Sequence, residues 1–410
     1  MSGQATTGRK MPAARLSAAR WIDIFCFALI LSYALLLVRS VELGLWIVDR
    51  SGAPTHADFS VFWASARLVW LGHAASAYDW PAVRETLEQM SGRPFPSGAF
   101  PFFYPPLALL ILAPLGAFAY APAAALWISA TFAAYLRAAF TMLRGRGVLL
   151  AAATPAALWC ICIGQNGVLS AAIFALALML LDRRPAIAGI LIAFLSFKPQ
   201  LGVLIPFALI ASGRWRAFAS AAAASLTLWL AAGFVLGFGT YAGFLKATRD
   251  ARHIFLVAGQ LPWFKLQSVY GFLRTLAAPA SLAAILQATV SIIAAASVIL
   301  LWRSRARFTL KAAALTAGAL AVSPYVQIYD FPIATIAILF LIRDSEEAAF
   351  KLWEAAALAL AFFMPLVFNF ISLPVGPAVF LLLGAVIASR SVRRLAADED
   401  ASQPENFARA

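Results

Sequence analysis

Charge is the scarcest property of this chain. Of 410 residues only 12% are Asp, Glu, Lys or Arg, about half the fraction usual in soluble globular domains. Three histidines and three cysteines leave little material for a metal centre or a disulfide framework. The external segments show no tight group of acids or histidines at ligand spacing, so neither metal nor cofactor is expected. Acids are outnumbered by bases, 18 to 32. The surplus of +14 is nevertheless no nucleic-acid footprint, because the Lys and Arg residues fall in short clusters between apolar runs, as cytoplasmic loops of membrane proteins do. Alternation of apolar and polar residues is lacking too, which excludes a membrane-spanning β-barrel. No internal repeat is visible, which counts against the inverted-repeat transporters.

Apolar residues make up 63% of the chain, gathered in repeated runs of about 17–25 residues, the length that crosses the hydrocarbon core. The expected fold is an all-α polytopic membrane protein. Residues 1–20, with Arg9, Lys10, Arg15 and Arg20, read as a basic cytoplasmic N-terminus leading into an uncleaved first helix. Assigning Arg144/Arg146, Arg183/Arg184, Arg214/Arg216, Arg303–Arg307, Arg343 and Arg390–Arg394 to the cytoplasm predicts about twelve spanning helices within 21–394 and both termini inside. Two external loops result, 43–120 with interfacial helices and 239–278. The apolar stretch 105–118 is short and Pro-bounded, which predicts a re-entrant or interfacial helix, and 186–211 predicts a pair of short helices with Lys198 at the outer apex. The tail 395–410 is polar and predicted to be disordered. Cys26, Cys160 and Cys162 fall within helices and read as small core residues.

On this topology the polar residues between helices collect on the outer side: Asp58, Tyr104, Gln165, Asn166, Lys198, Gln200, Tyr325, Asp330 and the loop bearing Arg249, Arg252, His253 and Lys265. Each has a plain structural reading beside a functional one. Asp58 suits a helix N-cap. The recurrence of Phe59, Phe62, Trp63, Ala66 and Trp70 suits an interfacial anchor. Gly164-Gln165-Asn166-Gly167 suits a tight turn, and the 246–265 run a solvated loop. Lys198 is harder to explain structurally, since a cation between short apolar helices needs water, an acid or a phosphate.

The ordered set Asp58-Phe59-x-x-Phe62-Trp63-x-x-x-Arg67, Tyr78-Asp79, Tyr104-Pro105-Pro106 with Ala113-Pro114-Leu115, Gly164-Gln165-Asn166, Ala188-Gly189, Lys198-Pro199-Gln200-Leu201 and Ser323-Pro324-Tyr325…Tyr329-Asp330 resembles glycosyltransferase family 87, over about residues 20–345. These are integral-membrane enzymes of the GT-C fold, including bacterial mannosyl- and arabinofuranosyltransferases. The resemblance implies a GT-C-like bundle in the bacterial inner membrane and a polyprenyl-phosphate sugar donor. It also implies a hydroxyl acceptor on a glycolipid or polysaccharide, transfer on the periplasmic side, and Asp58 as catalytic base. Some members carry a histidine in the segment matching Ser323–Asp330. Here that segment offers Tyr325, Gln327, Tyr329 and Asp330 instead, and His253 is the nearest substitute in the second external loop. The leaving phosphate requires fixed cations, for which Lys198, Arg249, Arg252 and Lys265 are candidates. One base without a second paired carboxylate predicts single displacement with inversion. The rival readings are a transporter or lipid-linked-sugar flippase, which should carry charges at helix midpoints, and a non-catalytic scaffold, which has no need of Asp58.

Overall fold

The computed structural model describes residues 13–95 and 102–402; the start of the basic N-terminus (residues 1–12) and the last eight residues of the tail lie outside the described residues. Among those described, the chain is helical and forms no strand. In order the helices are α1 (Ala13–Leu43), α2 (Asp58–Trp70), α3 (Trp80–Ser91), α4 (Pro106–Leu112), α5 (Tyr120–Ala153), α6 (Pro155–Ile163), α7 (Gly167–Leu180), α8 (Pro185–Phe194) and α9 (Pro199–Gly202). They continue with α10 (Ile205–Ala211), α11 (Trp215–Leu236), α12 (Gly239–Arg252), α13 (Val269–Thr275), α14 (Ala280–Arg303), α15 (Phe308–Ala321), α16 (Pro332–Ser345), α17 (Leu352–Ile371) and α18 (Gly376–Ser402). α18 carries the first eight residues of the expected disordered tail as helix. Their local sequence, Leu395-Ala-Ala-Asp-Glu-Asp-Ala-Ser402, is led by good helix formers.

Among the described residues five helical segments are long and apolar enough to cross a membrane: Arg20–Leu43, Tyr120–Ala153, Trp215–Leu236, Ala280–Arg303 and Gly376–Arg393. Several of these leave large apolar side chains bare, among them Phe25, Leu31 and Leu35 on α1 and Ile285, Ile292 and Leu300 on α14. Lipid is the solvent in which such a surface is stable. The interior is made differently. α7, α15 and α16 have 14 residues each, about 21 Å of helix against about 30 Å of hydrocarbon. Five long segments therefore stand where about twelve spans are expected. α16 is buried without interruption from Pro332 to Leu341. α15 packs along α16 and buries Ala312, Ala313, Ala317, Gly318 and Ala319 among its neighbours, small residues that let helices approach closely.

The chain doubles back inside α5. Leu143 and Arg144 leave helical geometry, Arg144 at φ +50°, and a Cβ on Gly147 would lie 2.3 Å from the Ala139 carbonyl oxygen. Two antiparallel limbs meet at the Arg144-Gly145-Arg146 turn, where the sequence predicts it, and the second limb breaks again at Thr154-Pro155 before α6. α8 runs alongside α11 in the same direction, Ser220 donating to the Ala186 carbonyl and the Trp229 indole to the Ser196 hydroxyl. Arg214 reaches Asp182 at 2.8 Å, so the segment between them leaves and returns to one level as an excursion of short helices with Lys198 at its far end.

A second apolar cluster lies under the first loop, built from α2, α3, α4 and the start of α5. The aromatic stripe of α2 belongs to it. Phe59, Phe62 and Trp63 are fully buried, and only Trp70 is exposed, which corrects the expectation of an interfacial anchor. The reason is the loop that follows α4. Gly116 lets its backbone meet α2 at Ala66, and Trp63, Arg67 and Trp70 donate to the carbonyls of Phe118, Gly116 and Ala113.

Candidate active site

Five loop apexes converge at one end of the bundle. α2 begins at Asp58, the turn between α6 and α7 supplies Gln165 and Asn166, and the break between α8 and α9 supplies Lys198. The stretch before α4 supplies Tyr104, and the one before α16 supplies Tyr329 and Asp330. Glycine permits the convergence. Gly164 sits at φ +68° with its missing Cβ 2.5 Å from Phe59 Cβ, and the corresponding atom on Gly167 would collide with the Tyr329 carbonyl oxygen. Any larger residue would push the α6–α7 turn off both neighbours.

Asp58 is not the N-cap. Ala57 holds that position, and the Asp58 carboxylate turns across to accept a 2.8 Å hydrogen bond from Gln165 Nε2 on its Oδ2. Its Oδ1 accepts no hydrogen bond among the described residues. Gln165 Oε1 in turn accepts from the Tyr104 hydroxyl at 3.2 Å and from the Asn166 backbone N–H at 3.1 Å. Asn166 Oδ1 accepts from Lys198 Nζ at 3.1 Å, and the ammonium forms a buried ion pair with Asp330 Oδ1. The Tyr329 ring lies 4.8 Å below that ammonium and the Tyr104 ring 5.9 Å away, within cation–π range. Asp330 Oδ2 accepts the Gln327 backbone N–H at 3.0 Å, so both of its oxygens are engaged. One continuous polar path joins Asp58 to Asp330, most of it buried.

The environment sets Asp58 apart from its neighbour in the same loop. Burial raises the Asp58 carboxyl above the usual aspartate range; the Gln165 hydrogen bond and the Lys265, His56 and Lys198 charges oppose the rise without cancelling it. Asp49 goes the other way. The Ser51 hydroxyl, the Ala53 and Ser51 backbone N–H groups and Arg93 all favour its ionised form and pull it down. A carboxylate whose proton affinity is raised by desolvation while one oxygen stays free is suited to accept a proton.

Of the residues singled out in the sequence, Asp58, Tyr104, Gln165, Asn166, Lys198 and Asp330 come together. Lys265 is exposed at the rim, close enough to Asp58 to act on it electrostatically. Its strand-like neighbour Leu266 bridges to Gln327, and Gln267 N–H donates to the Val326 carbonyl, tying the second loop to the Asp330 segment. Tyr325 stands beside Phe255, which also packs on Phe103 at 5.3 Å between ring centres. Arg249, Arg252 and His253 are exposed at the end of α12, and Gln200 makes no hydrogen bond into the cluster among the described residues. Tyr329, which the sequence offers in place of the family histidine, joins the cluster against the Lys198 ammonium, whereas Phe103 and Phe255, which complete an aromatic contact with Tyr325, were not singled out in the sequence.

An all-helical membrane protein with a polar, acid-bearing site at the loop end of its bundle is the class defined so far. The chain belongs to glycosyltransferase family 87, whose family model matches residues 102–324. It is therefore a membrane glycosyltransferase. The matched span includes Tyr104, Gln165, Asn166 and Lys198, and leaves Asp58 and Asp330 on either side of it. Neither a curated protein nor a solved structure matches the chain.

Proposed function

We propose that this enzyme moves a sugar from a polyprenyl-phosphate donor to a hydroxyl of a glycolipid or polysaccharide, with inversion and with Asp58 as the general base. The observation that carries the reading is the free Asp58 Oδ1, on a carboxylate held by a single neutral amide. In the reaction the acceptor oxygen attacks the anomeric carbon, its proton passes to Asp58, and the bond from that carbon to the phosphate oxygen breaks. The electron pair leaves with polyprenyl phosphate. The anomeric centre is oxocarbenium-like in between.

Charge developing on the leaving phosphate requires a cation. Lys198 is already matched by Asp330, which directs attention to the exposed Lys265 and Arg252 on the second loop, with Arg249 and His253 behind them. Arg can meet phosphate bidentately. The basic turns at Arg144–Arg146, Asp182–Arg184 and Arg303–Arg307 lie at the opposite end of the short helices from Asp58. By the positive-inside rule this supports an outward, periplasmic site in a bacterial inner membrane with both termini cytoplasmic. The polyprenyl tail would remain in the bilayer beside the bundle.

The test is transfer from radiolabelled polyprenyl-phosphate mannose and arabinofuranose in membranes holding wild type or Asp58→Asn. Transfer should fall by about 10²–10⁴ in the variant at unchanged protein level, the worth of a positioned base. Undiminished transfer would remove Asp58 from the mechanism.

A further inference from the structure

We propose that Gln165 is a positioning residue for Asp58, fixing which carboxylate oxygen faces the acceptor and how tightly that carboxylate binds a proton; the proposal rests on Asp58 being the base.

The side-chain amide has only one orientation that satisfies its surroundings. Two donors, the Tyr104 hydroxyl and the Asn166 backbone N–H, converge on Oε1. A flipped amide would set N–H against N–H there. The Nε2 group is thereby forced toward Asp58, where it fills Oδ2 at 2.8 Å and leaves Oδ1 open. Tyr104 can play its part at any working pH, because burial raises its phenol above the usual value and keeps the hydroxyl protonated. The backbone adds rigidity. Gln165 N–H donates to the Cys160 carbonyl at 2.9 Å, the Trp127 indole donates to the Gly164 carbonyl at 3.0 Å, and Gly164 is pressed on Phe59.

The neighbouring side chain gives the turn a second role. Asn166 receives Lys198, so two consecutive amides reach the base and the buried ion pair respectively. A hydrogen bond to the charged form of a carboxylate lowers its proton affinity. Gln165 therefore holds Asp58 back from the value that burial alone would impose. The other groups coupled to Asp58 are His56 on its own segment, Lys265 on the second loop and Lys198 at the α8–α9 break, with Tyr104 and Tyr329 across the site. Gln165 alone among these six makes a hydrogen bond to Asp58 among those the structure gives.

The experiment compares wild type, Gln165→Leu and the near-isosteric Gln165→Glu in membranes. Two readouts are taken across pH: dicyclohexylcarbodiimide labelling of Asp58, located by mass spectrometry, and transfer from the donors used above. The carbodiimide reacts with protonated carboxyls, so its labelling midpoint follows proton affinity without requiring turnover. In Gln165→Leu the midpoint should move up by roughly one pH unit, a tenfold gain in proton affinity. The acid limb of kcat/KM should move with it, kcat falling and KM for the donor holding. Gln165→Glu sets a second carboxyl against Asp58 and should move the midpoint further. A wild-type midpoint in both variants overturns the proposal. A shifted midpoint alongside full activity of Asp58→Asn would confirm the coupling and overturn only the reading of Asp58 as base. Should Gln165→Leu fail to accumulate, Gln165→Glu alone decides the question.

Discussion

α16 carries a buried acid at each end, Asp330 just before it and Asp344 one residue short of its C-terminus, about 20 Å apart along the axis. The two ends are built on opposite plans. At Asp344, Arg390 donates through Nε at 2.7 Å, Thr309 through Oγ1 at 2.9 Å, and Arg307 stands at 3.6 Å. Glu354 beside it takes Arg393, Ser389 and the Lys351 backbone N–H. Every oxygen is served by protein, and four helices are pinned together. At Asp330 the pairing is as complete, but the path runs on through Lys198, Asn166 and Gln165 to Asp58, which has one neutral donor and a free oxygen. A carboxylate saturated by protein is a fastener. The unsaturated one, a short path away, is available for chemistry.

The largest break in stability is expected at the Asp344 end. Asp344→Ala removes the principal partner of the fully buried Arg390 and should destabilise the protein by about 3–5 kcal/mol, read as thermal unfolding in detergent. Any molecules that remain folded should transfer sugar normally, because the Asp330 end is untouched. A stable Asp344→Ala variant with impaired transfer would reverse the assignment of the two ends.

Lys198→Met should cost nearly as much, since it leaves Asp330 buried with a single backbone N–H. The sharper test adds Asp330→Leu. Replacing both members of a buried pair with apolar groups often restores stability, so the double variant should unfold close to wild type while transfer stays low. Wild-type transfer in the double variant would make the Lys198–Asp330 pair as purely structural as the Arg390–Asp344 one.

How much of this was legible beforehand depends on what kind of interaction each residue makes. The helical membrane fold, the turn at Arg144, the short helices around Lys198 and the gathering of six polar residues at one end all follow from hydropathy and the placement of basic residues. Those signals are local and additive. The buried α2 stripe was misread because Phe59, Phe62 and Trp63 have the same periodicity whether they face lipid headgroups or the Ala113–Phe118 backbone. That backbone contact depends on Gly116, far away in sequence. Spacing could not assign Lys198 to Asp330 either, as they are 132 residues apart and any phosphate would have served as well. Basic residues of α12 seemed equal candidates in the sequence, and their exposure shows only in three dimensions.

The smallest effect expected concerns Asp58 itself and bears directly on the contrast between fastener and reactive group. Burial raises its pKa, so in the window between about 4, the ordinary aspartate value, and the raised value the folded protein holds a proton that the unfolded chain releases. Wild-type stability must fall as pH rises through that window and stay reduced above it. Asp58→Asn carries no such charge. At neutral pH it should be more stable than wild type by about 0.5–2 kcal/mol, the usual gain on removing a functional compromise, and the advantage should vanish below about pH 4. Thermal unfolding of both proteins at several pH values measures it. An Asp58→Asn protein less stable than wild type at neutral pH would place Asp58 with Asp344 among the structural acids, whatever happened to transfer.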